Sequence, residues 1–204
     1  MTRRTITTDA TARRERDPEL ATVDAKATGE GEEAATARAL ARDRAATIRE
    51  SVAAVPADRI QTVEMEVRET TDLFGEDSDA AYRATERLEI ACVPETAEAV
   101  VVDVTDAGGT VQSVEFHVHD EVRRQLQDEA LAAAMERARA KATQIAAAEG
   151  LAVAEVQSVT TREISTGMDS IVDDALSGPA DDDFSPTPVS VSEGVEVVYE
   201  LVEA

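Results

Sequence analysis

Three residues of this 204-residue chain have the types and spacing of a metal site: Glu115, His117 and His119 alternate along one short stretch. In an extended strand, residues two apart point to the same side, with Cα atoms about 7 Å apart. A His-x-His pair at that spacing can ligate one metal ion, and Glu115 or Asp120 could add a carboxylate oxygen. No distant further ligand is identifiable, so a solvent-facing strand that carries both histidines is the simpler account. Asp181, Asp182 and Asp183 are acidic enough for calcium, but a calcium loop alternates its ligands around a turn-making glycine, and three consecutive carboxylates do not converge. Lys141 would be a nucleophile only if buried, and its helical neighbours Glu136 and Arg137 place it on a solvated face. Cys92 falls on the apolar side of its strand and reads as core. There is no nucleophile elbow and no phosphate loop. The residues therefore assign no catalytic, cofactor-binding or metal site.

The elements that must position these residues are read from periodicity. Residues 3–12 alternate weakly, with Ile6, Thr8, Ala10 and Ala12 on one side. Residues 20–28 alternate clearly, with Ala21, Val23, Ala25 and Ala27 together. Asp17-Pro18 marks a turn, so the two runs predict a hairpin, which Gly29-Glu30-Gly31 breaks off. Residues 32–55 change to helical period through Ala37, Ala41, Ala45, Ile48, Val52 and Val55. Arg42, Asp43, Arg49 and Glu50 lie opposite, and Pro56 ends the helix. Residues 59–69, with Val63, Met65 and Val67 on one face, and residues 80–92, with Tyr82, Ala84, Leu88, Ile90 and Cys92 on one parity, predict a second hairpin. The polar segment from Thr70 to Asp79 joins its strands. Residues 95–106 suit a helix through Ala97, Val100, Val101 and Val104, stopped by Gly108-Gly109. Residues 110–119 predict a strand that sets Val114, Phe116 and Val118 opposite Glu115 and both histidines.

Asp120 is a good N-cap for a long helix over 120–149, and Gly150 a good residue just past its end. Its core stripe is Leu131, Ala134, Met135, Ala138, Ala142 and Ile145. Residues 151–164 alternate imperfectly around Val153, Val156, Val159 and Ile164. An acidic flexible loop at 165–188 leads to a last strand, 189–202, with Val189, Val191, Val195, Val197, Tyr199 and Leu201 on one face. The order ββαββ(α)βαββ predicts an α+β fold, a largely antiparallel sheet with two long helices packed on one face, in a single domain over 1–204.

Composition narrows the function. There are 43 Asp and Glu against 20 Lys and Arg, a net charge of −23, and aromatic residues are confined to two tyrosines and three phenylalanines. Such a surface repels nucleic-acid phosphates and disfavours anionic membranes. No apolar run is long enough for a spanning helix. Acidic, lysine-poor composition matches proteins of salt-loving microbes, where molar salt shortens the Debye length to about 3 Å and screens self-repulsion. The charge reads as a solubility feature, not a binding site. The single cysteine excludes an intramolecular disulfide and suits a reducing compartment. The basic N-terminal run lacks a following apolar segment, so no secretory signal is expected, and the protein is expected in the cytoplasm.

Five segments together resemble the SIMPL-domain family, whose members include proteins named for oxidative-stress defence and periplasmic immunogens. Asp17-Pro18-Glu19-Leu20-Ala21 resembles the family's step between its first two strands. Arg59-Ile60-Gln61-Thr62 resembles the entry to its third strand, and Tyr82-Arg83-Ala84 with Leu88 and Ile90 resembles its fourth. Phe116 through Gly150 is the fullest match, with Glu129-Ala130-Leu131, Ala133, Ala134, Ala138, Arg139, Lys141, Ala142, Ile145 and Ala146 falling as in the family's long helix. Val191 to Leu201 resembles its closing strand. Where the family opens with Gly-x-Gly, Thr8, Asp9, Ala10 and Thr11 stand here. The resemblance implies no established catalytic residues and a binding or self-assembling protein.

The reading is therefore a non-enzymatic SIMPL-like protein without cofactor, forming a homo-oligomer or binding another protein, with stress response as its implied setting. The alternative is a metal- or small-molecule-binding enzyme using the His117/His119 strand face. The charge itself makes a prediction. The melting temperature should rise substantially between dilute buffer and molar KCl, because repulsion opposes folding until salt screens it. A flat profile in thermal melts would contradict the halophilic reading.

Overall fold

A computed structural model describes residues 4–70, 80–163 and 186–204 of the chain. The elements are β1 (Arg4–Arg16), β2 (Leu20–Gly31), α1 (Ala34–Ser51), β3 (Ile60–Glu69), β4 (Tyr82–Cys92), α2 (Ala97–Asp106), β5 (Thr110–His117), α3 (Asp120–Ala148), β6 (Leu151–Glu163) and β7 (Val189–Glu203). Their order is the expected one, and the fold is α+β with antiparallel pairing throughout the described strands. The strands divide between two sheets, ordered β1-β7-β6 and β3-β4-β2-β5, within two compact units. The acidic loop expected at 165–188 lies, up to residue 185, outside the described residues, as do most of the Thr70–Asp79 connection and Ile164.

The unit from Pro18 to His117 contains the four-stranded sheet. Every second residue of β2, Ala21 through Ala27, is fully buried, as alternation predicts. Ala45 and Ile48 of α1 and Ala97, Val100 and Val104 of α2 close over this face, together with Leu88 and Ile90 of β4. The glycines at 29–31 do not break the strand; they carry it under α1. A Cβ built on Gly29 would stand 2.3 Å from the Ala37 carbonyl oxygen and 2.4 Å from the Ala41 nitrogen, so only glycine fits there. α1 ends at Ser51, not at Pro56. The Ser51 hydroxyl donates to the Ile48 carbonyl at 2.9 Å, and such local bonds compete with helix continuation. Val52 and Val55 remain buried in the turn that follows. α2 spans the predicted segment and stops at Gly108, whose φ of 79° suits only glycine well.

The second unit holds β1, α3, β6 and β7. The predicted β1–β2 hairpin does not form. β1 pairs with β7 over thirteen residues, from Arg4↔Leu201 to Arg16↔Val189, while β2 pairs with β4 and β5. This register sets Ile6, Thr8 and Ala10 opposite Tyr199, Val197 and Val195, a better apolar match than β2 offers. β7 is thus the central strand of its sheet, between β1 and β6. α3 lies over β1 and β7 and reaches β6 only at its margin. The buried row on α3 is Leu126, Ala130, Ala133, Ala134, Ala138, Ala142 and Ala146; Leu131 and Met135 are partly buried, and Ile145, assigned to the stripe, is exposed. Gly150, at φ 69°, ends the helix as expected.

Helix and sheet are close enough here that the buried Thr8 hydroxyl donates to the Ala138 backbone carbonyl at 3.0 Å. Ala138 is fully buried at this contact, whereas Ala147 faces solvent. Ala138→Leu should cost about 1–3 kcal/mol by overpacking. Ala147→Glu should stay within about 0.5 kcal/mol of the parent. Equal shifts in denaturant melts of the two variants would mean that the covered face of α3 is assigned wrongly.

Candidate functional site

Glu115 and His117 lie on β5, an edge strand paired with β2 through Thr22↔Glu115 and Leu20↔His117. The His117 Nε2 is 3.7 Å from a Glu115 carboxylate oxygen. His119 does not share their strand. β5 ends at His117, and His119 is the N-cap residue of α3, its carbonyl accepting the Arg123 N–H at 2.9 Å. Asp120, expected at the cap, is the first residue of the helix. There it joins Glu121 in the first turn, where negative charge favours the helix dipole. The predicted face of Glu115, His117 and His119 along one continuous strand therefore does not exist. Among the described residues no three His, Cys, Asp or Glu gather as a metal site. Asp181, Asp182 and Asp183 lie outside the described residues.

Lys141 is half-exposed and ties helix to strand: its ammonium donates to the Asp9 carbonyl at 3.2 Å and approaches the Asp9 carboxylate at 3.5 Å. Cys92 is buried in the core under α2. Burial pushes its thiol above the usual range, opposed by a hydrogen bond involving Thr96, so the thiolate that would act as nucleophile is disfavoured. Tyr199 is the largest fully buried side chain among the described residues. Burial likewise raises its hydroxyl pKa, with nearby Arg139 acting the other way.

Periodicity missed one charged group. Glu86 sits on the apolar parity of β4 between Ala84 and Leu88 and is only 4% exposed. One of its carboxylate oxygens accepts from Arg49 and from the Thr62 hydroxyl, each at 2.8 Å. Arg49, expected on the solvent face of α1, reaches back over the sheet edge to make this pair. A carboxylate at a core parity was the visible signal; its partners came from two other elements. On the sheet's opposite face, Arg87 lies 3.3 Å from Asp24 and 3.4 Å from Glu64, and Arg83 lies 2.8 Å from Glu30. These groups tie elements together within the unit.

The sheet edges form the remaining feature. Val63, Met65 and Val67 of β3, expected on one face, are all exposed, because β3 is an edge strand that α1 touches only at its margin. On β6, two register shifts set Val153, Val156 and Val159 opposite Leu201, Tyr199 and Val197. Residues spaced by three thereby share the helix-side face, and Val156 and Val159 stay exposed there.

Antiparallel sheets with small-residue helices packed on them, in the order ββαββαβαββ, define the class of protein. The model of the family SIMPL, described as a protein of unknown function (DUF541), matches residues 6–199. The chain belongs to the SIMPL family. No curated protein matches it. Among the described residues, no helix is long and apolar enough to cross a membrane.

Protein purified without a histidine tag is expected to carry no stoichiometric zinc, nickel or manganese by elemental analysis. One equivalent of metal that disappears in His117→Ala would reinstate a site on the β5 face.

Proposed function

We propose that this SIMPL protein works through protein–protein association, first with itself, and not through catalysis. The observation that supports the reading is the set of strand edges that carry solvent-exposed aliphatic side chains, Val63, Met65 and Val67 on β3 and Val156 and Val159 on β6. An edge strand also presents unpaired N–H and C=O groups that another chain can complete. The single cysteine and the acidic composition suit a reducing, salt-rich cytoplasm. The resemblance to members named for oxidative-stress defence suggests the setting in which such association would serve.

Because β7 is central, a proline in it would break the sheet itself; the edges are the places to probe. Static light scattering in molar KCl should give a mass above the 21.7 kDa of one chain. A mass of one chain throughout the micromolar range would overturn the reading.

A further inference from the structure

We infer that self-association is head to tail, with the β1 edge of one copy received by the β3 edge of the next. The inference rests on the self-association reading and adds which edges meet. The two strands carry opposite charge. β1 holds Arg4, Arg13, Arg14 and Arg16 against Asp9 and Glu15, a basic strand in a chain whose net charge is −23. β3 holds Glu64, Glu66 and Glu69 against Arg68 alone. Among the described residues each strand is paired on one side only, β1 with β7 and β3 with β4.

Pairing like with like is disfavoured at both edges. Two β1 strands side by side would set one net-positive strand against another, and two β3 strands would set one net-negative strand against another. The other two edges are poorer templates. β6 has two register shifts along its ladder, and β5, which like β3 has one, is the shorter strand, with eight residues against ten. Bulges of this kind twist an edge away from a further partner. β1 runs through thirteen residues without a shift, and β3 is regular beyond its shift between Thr62 and Glu64. The regular part of β3 also carries the exposed Met65 and Val67, whose burial would add apolar contact to the charge match.

A β1-to-β3 contact joins two different surfaces. It leaves one free edge of each kind at the ends of every assembly, so it propagates into a ring or a chain of copies and does not stop at a twofold dimer. In molar salt the Debye length is about 3 Å, so the charge match acts at strand contact and not over distance.

Paired charge reversals test the inference. Arg13→Glu with Arg16→Glu gives an acidic β1, and Glu64→Arg with Glu69→Arg gives a basic β3. Thermal melts of each variant, compared with the parent, establish that it folds. Each double variant alone should run as a single chain of 21.7 kDa by light scattering in molar KCl, since its two edges then carry like charge. An equimolar mixture should regain a mass of at least two chains, because each variant retains the edge that the other needs. Wild-type assembly by both variants alone, or a mixture that stays monomeric while the wild type assembles, would overturn the β1-to-β3 contact and leave self-association standing. A wild type that is itself monomeric would overturn the self-association reading and this contact with it.

Discussion

The close approach of alanine-lined helices to the sheets is the constraint on which each unit depends. With five aromatic residues in the chain, large buried side chains are few, and burial of one CH₂ group contributes only about 0.8 kcal/mol. Cohesion must then come from many short contacts, each sensitive to distance. Ala37, Ala41 and Ala45 lay α1 so near β2 that Gly29 has no space for a Cβ. Ala138 and Ala142 lay α3 so near β1 that a threonine hydroxyl spans from strand to helix backbone. Where the family has a glycine-bearing first strand, Thr8 keeps the approach close by bonding the carbonyl it meets. A bulkier core could tolerate a shifted helix; this one cannot.

That constraint was partly legible. The alternation of Ala21, Val23, Ala25 and Ala27 gave the buried face of β2 because α1 and α2 cover one side of it. The helix order followed from period, and Gly150 followed from the need for positive φ. The partner of β1 was not legible, since proximity in sequence favours a hairpin while the better apolar register lies some 190 residues away in β7. Nor could period distinguish an edge from a centre. Val63, Met65 and Val67 show the same alternation as a buried strand, and β7, next to the chain's end, is the middle of its sheet. Val153, Val156 and Val159 fit neither a period of two nor one of 3.6, and the irregularity was itself the trace of two bulges.

The candidate site failed at one geometric step. Two residues on alternate positions share a face only while the strand continues, and β5 ends at His117, two residues before the second histidine. His119 is spent on opening α3. Glu86 shows the converse case. A carboxylate between Ala84 and Leu88 looked like an interruption of the apolar parity, but its environment supplies Arg49 and Thr62 as donors. Assigning Arg49 to the solvent by its helical position ignored the length of its side chain, which lets a residue at the margin of a helix reach a buried partner.

Charge and packing are linked through the same scarcity. Twenty cationic residues serve 43 anionic ones, and two arginines are placed where one guanidinium answers more than one acceptor: Arg87 lies near both Asp24 and Glu64, and Arg49 donates to Thr62 and Glu86. Exposed pairs of this kind contribute about 0–1 kcal/mol each, so they organise the open face of the sheet without holding it together. The interior cannot make up the difference by growing, because larger side chains would push the helices away from backbones they now touch. What remains available for further burial is at the surface, on helices as well as strands: Leu40 of α1, Val102 of α2 and Ile145 of α3 are exposed, as are Val63, Met65 and Val67 of β3. A fold built from small side chains at fixed distance thus leaves part of its apolar surface uncovered.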